Sequence, residues 1–235
     1  MILRSYFSFF FKNYLRHHRY LREIICILIF HIFFWGFLYT DQPDEMIWSV
    51  FAVLGILLNI VTVPSLFFLE KGNSLYFSLV HPGGRYYFFI SKILLIFTID
   101  FFWIFLFSLI YGLRFLDGNY FLYLPIRLSF MALLLVLSTL ILSLSFVYKY
   151  WIVWLLMLLV IFGGIINKSI LFPIHSFSQS YVLLTFFLPP ILEIIYGAVT
   201  LEFTVWRFLF FGIALLQAVL YFWINFHLIQ KKDFI

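Results

Sequence analysis

Tyr87–Leu113 reads YFFISKILLIFTIDFFWIFLFSLIYGL, a run whose only charged side chains are Lys92 and Asp100. Coiled as an α-helix it is longer than the roughly 30 Å hydrocarbon core of a bilayer. In lipid the backbone must satisfy its hydrogen bonds within the segment, so a helix is the form such a run takes. Apolar runs recur at Ile24–Tyr39, Ile47–Leu69, Ile126–Val147, Trp151–Ile166 and Val205–Ile229. The sequence therefore predicts an all-α integral membrane protein with six transmembrane helices in a single domain, residues 1–235.

Composition agrees. Hydrophobic residues make up 65% of the chain, charged residues 11%, and the mean hydropathy is +1.10. A soluble domain carries about 25% charged residues, so this chain lacks the polar surface to cover a globule. The net charge of +5 is then a matter of membrane topology, and no nucleic-acid partner is expected. A single cysteine, Cys26, rules out an intrachain disulfide. The run Ile24–Tyr39 ends in Thr40-Asp41-Gln42-Pro43-Asp44 without a small-x-small site, so it reads as a retained span rather than a signal peptide. Trp35, Tyr39, Trp48, Tyr87, Tyr111, Tyr150, Trp151 and Trp206 sit near span ends, where amphipathic rings anchor at the headgroups. The 35 phenylalanines read as lipid-facing bulk.

Orientation follows from the cations. With the N-terminus inside, Arg4, Lys12, Arg16, Arg19, Arg22, Lys71, Arg85, Lys92, Lys149, Lys231 and Lys232 face the cytoplasm. Arg114, Arg127, Lys168 and Arg207 face out, 4 against 11 of the 15. Asp41, Asp44, Glu45, Asp117, Glu193 and Glu202 also fall outside. Both termini are expected to be cytoplasmic.

Two segments stand apart from the spans. Residues 1–22 read as an amphipathic helix, with Arg4, Ser8, Lys12, Arg16 and Arg19 on one face and Phe7, Phe10, Phe11, Tyr14 and Leu15 on the other. Such a helix suits the cytoplasmic interface of an anionic leaflet; the plainer reading is a topogenic basic patch. Residues 168–205 hold two apolar pieces too short to span, Tyr181–Leu188 and Ile191–Val199 with Glu193, separated by Pro189-Pro190. They predict short re-entrant helices forming an outer gate, or else an interfacial loop with Glu193 in water.

Between the second and third runs, residues 70–86 begin Glu70-Lys71-Gly72-Asn73-Ser74-Leu75-Tyr76 and end Pro82-Gly83-Gly84-Arg85-Tyr86. Leu75 and Leu79 give a short amphipathic stretch, Pro82-Gly83-Gly84 a turn, and Arg85 and Lys92 anchor the next span by snorkelling. This stretch resembles the type-2 ABC exporter permeases. Glu70-Lys71, Asn73-Ser74-Leu75, Pro82, Arg85 and Lys92 match the family's pattern in register. Asn73 replaces its usual glycine, and Tyr76 stands where an acidic residue often follows. The resemblance takes in the N-terminal elbow helix, the six spans, the outer helices and the tail Lys231-Lys232-Asp233.

The resemblance implies that Ser74–His81 is a coupling helix docked on a cytoplasmic ABC ATPase subunit, with Glu70, Lys71, Ser74, Leu75, Leu79, Pro82, Arg85 and Lys92 carrying the contact. It also implies a second permease chain, homo- or heterodimeric, and residence in a bacterial-type plasma (inner) membrane. The chain has no Gly-x-x-x-x-Gly-Lys-Ser/Thr phosphate loop. ATP and Mg are accordingly expected on the partner ATPase, with no cofactor bound and no catalysis carried out by this chain.

Asp100, His31 and Asn59 fall near the middles of their spans. An aspartate there costs roughly 2.5–3.5 kcal/mol on insertion scales, which makes it a functional candidate. A His31–Asp100 pair lining the pathway is one reading, and a structural interhelix hydrogen bond is the other. Gln217 and Asn225 read as packing or dimer contacts. His17, His18, His81, His175 and His227 show no metal-ligand spacing, and neither His-Glu-x-x-His nor Gly-x-Ser-x-Gly occurs. Two rivals to the exporter remain: a proton-coupled secondary carrier using Asp100 and His31, and a non-transporting membrane assembly factor.

Overall fold

The computed structural model describes residues 2–67, 83–147, 189–202 and 204–231. Its helices are α1 (Ile2–Arg16), α2 (Tyr20–Phe33), α3 (Trp35–Leu38), α4 (Ile47–Phe67), α5 (Gly84–Phe115), α6 (Gly118–Val147), α7 (Ile191–Thr200) and α8 (Val205–Lys231). No strand occurs among the described residues. Among the described residues four helical stretches are long and apolar enough to cross a membrane: Ile47–Phe67, Gly84–Phe115, Gly118–Leu144 and Arg207–Lys231. The chain is an all-helical, multi-pass type of membrane protein.

Three boundaries differ from the sequence reading, each for a local reason. The N-terminal amphipathic helix does not run to residue 22. It stops at Arg16, where His18 takes a left-handed conformation (φ 51°) and redirects the chain into α2. The first apolar run forms two pieces, α2 and α3, parted at Phe34 (φ −104°, ψ 17°). α6 begins at Gly118, not Ile126, and continues through Pro125. Hydropathy marks where an apolar run begins; the helix started a little earlier, two residues after Leu116 (φ 51°) closed α5 through its N–H to the Gly112 carbonyl, 3.0 Å. The run Trp151–Ile166, the piece Tyr181–Leu188 and most of the 70–86 loop lie outside the described residues.

Contacts across the bundle set the directions. Asn59 meets Ser138, and the Phe67 and Phe146 rings stand 4.7 Å apart, so α4 and α6 run parallel. Thr62 meets Asp100 and Leu66 meets Lys92, so α5 runs against them. Phe130 lies 4.7 Å from Phe211 and Asn225 reaches the Leu140 carbonyl, so α8 runs with α6. The bundle thus has a basic end (Arg19, Arg85, Lys92, Lys231) and an acidic end (Asp44, Glu45, Asp117, Glu202). α6 is central, packed by α4, α5, α7 and α8. Its neighbours bury Trp48, Phe51, Phe67, Phe88 and Phe89 completely or nearly so.

Candidate functional site

A helix leaves its last four carbonyls without intrahelical partners, and its C-terminus carries partial negative charge. α4 is described as far as Phe67, next to the 70–86 loop. Two cations from different elements serve that end. Arg19 Nη1 donates to the Ser65 carbonyl at 2.8 Å, and Lys92 Nζ donates to the Leu66 carbonyl. Lys92 does not snorkel as its position in the sequence suggested. It is 1% exposed, with its ammonium 4.7 Å from the Phe10 ring and 5.0 Å from Phe88. The two rings lie edge to face, 5.5 Å apart. Arg85 repeats the device on α8, where its Nη1 donates to the carbonyl of Gln230 in the final turn.

Phe10 brings α1 into the same node. Along α1, Phe10 and Tyr14 are buried against the bundle, whereas Arg4, Lys12 and Arg16 are exposed. Phe11 and Leu15 of the expected apolar face are exposed too, and Arg19 lies beyond the helix end and turns inward to α4. Tyr14 donates its hydroxyl to Glu23, which is fully buried at the start of α2. Burial, and then the Glu23 carboxylate beside it, push the Tyr14 hydroxyl's pKa upward.

The intramembrane polar residues are not gathered into one site. Asp100, fully buried, accepts a hydrogen bond from Thr62 Oγ1 at 2.9 Å and so ties α5 to α4. Asn59 lies one turn from Thr62 but faces α6: its Nδ2 donates to Ser138 Oγ at 3.0 Å, and Thr139 Oγ1 donates to its Oδ1 at 2.5 Å. His31 is elsewhere. It bonds the Tyr39 hydroxyl at 2.9 Å and meets the Trp35 ring edge-on at 5.5 Å. The proposed His31–Asp100 pair is not formed, because each group has its own partner on a different helix pair. Asn225 Nδ2 donates to the Leu140 carbonyl at 2.9 Å, an intrachain packing contact between α8 and α6.

At the acidic end, Arg127 is drawn into the bundle, 5% exposed at its side chain. It donates to Glu45 Oε1 at 2.8 Å and lies 5.7 Å from the Trp48 ring. Pro189 and Pro190 are buried and lead into α7, which packs on α6 and α4. Glu193, in the first turn of α7, is 5% exposed, so the solvated-acid reading does not hold. A Cβ on Gly197 would fall 2.8 Å from Phe130 Cε1 and 3.1 Å from Phe211 Cζ, so glycine there lets α7 sit directly against both rings. Arg207 closes the turn between α7 and α8 by donating to Thr200 Oγ1 at 2.5 Å.

Of the expected coupling residues, Arg85 and Lys92 are described, while Glu70, Lys71, Ser74, Leu75, Leu79 and Pro82 lie outside the described residues. Sequence reasoning placed Tyr14 on the apolar face of α1 without its carboxylate partner, and passed over Glu23 and Thr62. A lone carboxylate among the cations before the first span was the available sign for Glu23; nothing local marks Thr62. Among the described residues no three His, Cys, Asp or Glu side chains gather to hold a metal ion. The chain matches no known protein family and no curated protein.

Proposed function

We propose that this chain is the permease subunit of an ATP-driven exporter, forming half of a two-fold translocation pathway driven by separate ATPase subunits. The observation that carries the reading is the double cap on α4. The helix end that leads into the 70–86 loop is gripped by Arg19 beside α1 and by Lys92 of α5. A force applied to that loop by a cytoplasmic subunit would reach three helices at once.

The helix directions support a six-span count. α6 and α8 run the same way, so the chain must recross between them; a span at Trp151–Ile166 meets that need. α2 and α3 together supply the remaining crossing, from the basic end to the acidic end. On this reading the basic end faces the cytoplasm, α1 is the elbow helix, and α7 with Pro189-Pro190 and Glu193 belongs to the outer gate. The carrier reading loses the pair on which it depended, since His31 and Asp100 are bonded elsewhere.

The test is reconstitution. The chain is purified with its ATPase, identified by cysteine cross-linking from Ser74 or Leu79, and ATP hydrolysis is measured in proteoliposomes. Glu70→Lys and Arg85→Glu should lower membrane-stimulated hydrolysis while the subunits stay associated. Absence of any cross-linked phosphate-loop subunit, together with solute movement driven by a pH gradient alone, would refute the proposal.

A further inference from the structure

Between α2 and α4 runs an apolar groove of about 310 Å³, open along its side. Cys26, Ile29 and Phe33 of α2 and Leu57 and Val61 of α4 line it, with Arg22 at the basic end. From Arg22 to Phe33, its limits on α2, the helix rises about 17 Å at 1.5 Å per residue. One leaflet of a bilayer core is about 15 Å thick. The groove is thus about as long as a single acyl chain's share of the membrane. Its one cation lies at the headgroup end.

Arg22 is positioned for a ligand outside the protein. Its side chain is exposed, and although its charge is felt by the neighbouring Glu23, no hydrogen bond from its guanidinium joins the two among the described residues. Glu23, the adjacent carboxylate, is turned inward to Tyr14. Exposed Arg16, at the end of α1, stands at the same end of the bundle. We propose that the α2–α4 groove holds one acyl chain of an anionic phospholipid from the leaflet at the basic end, with the lipid phosphate on Arg22. Phosphate oxygens match the guanidinium fork bidentately, and an anionic leaflet strengthens the attraction. This site does not depend on the exporter reading.

The chain's single cysteine is a probe already in place, because Cys26 lines the groove. The full-length protein is placed in nanodiscs of phosphatidylglycerol or of phosphatidylcholine with identical acyl chains, and alkylation of Cys26 by N-ethylmaleimide is timed. Phosphatidylglycerol should slow alkylation by about fivefold, the factor that one cation contributes near an anionic surface. Arg22→Gln should abolish that difference, and Val61→Trp, which fills the groove from α4, should slow alkylation equally in both lipids. Equal rates for the unaltered chain, or a difference that survives Arg22→Gln, would overturn the proposal. Ready oxidation to a Cys26–Cys26 dimer in both lipids would overturn it too, by assigning the groove to a second copy.

Discussion

Lys92 Nζ caps the Leu66 carbonyl while its ammonium lies against the rings of both Phe10 and Phe88. One side chain of α5 thereby joins the end of α4 to the N-terminal helix. Lys92→Met keeps the bulk of the stem but leaves that carbonyl without its charged donor. Stability should fall by about 1–3 kcal/mol, the cost of an orphaned buried acceptor, read as a lowered midpoint of unfolding in detergent. Limited proteolysis should then cut within residues 17–19, as α1 loosens.

Asp100 acts through a hydrogen bond to Thr62 rather than through a histidine partner. Asp100→Asn preserves an acceptor oxygen and should assemble and unfold much as the unaltered chain does. Asp100→Leu removes the acceptor. A double-mutant cycle with Thr62→Val should return a coupling of about 0.6 kcal/mol, typical of polar pairs between membrane helices. A coupling near zero would sink this assignment.

Arg127 and Glu45 form an unequal pair, 5% and 66% exposed at their side chains. Glu45 stays largely in water, so Glu45→Gln should cost less than about 1 kcal/mol. Arg127→Ala should cost more, about 2–3 kcal/mol, because it empties a packed slot beside Trp48 as well as breaking the pair. Thermal melts of both variants compare the two losses directly.

Gly197 sets the contact of α7 with the bundle. Gly197→Val places atoms where the rings of Phe130 and Phe211 already lie. Overpacking of this kind costs about 1–3 kcal/mol. Phe130→Ala should recover part of the loss, and the recovery is measured by comparing the double variant with each single one.

The long spans were legible because length and hydropathy are properties of contiguous sequence. α4, α5 and α8 begin and end within a few residues of their apolar runs. What escaped was whatever depends on a second helix. Asn59 and Ser138 are separated by 79 positions, and Arg19 and Ser65 by 46; neither pairing leaves a local trace. Lys92 shows the difference most plainly. A lysine near a span's end reads as a headgroup anchor, and only the placement of the α4 terminus and of Phe10 turns it into a buried cap. Arg127 misled in the same way, since an arginine just inside an apolar run looks like the edge of a loop until the helix is seen to begin at Gly118.

α5 has a left-handed residue at each end, Gly83 (φ 73°) and Leu116 (φ 51°), and no proline within it, unlike α4 with Pro64 and α6 with Pro125. In mechanical terms it is one unbroken strut with a sharp turn of chain at each end. A 32-residue helix transmits an axial displacement along its length with little loss. Lys92 and Asp100 bond it to α4 along the way, so α4 would share any such displacement.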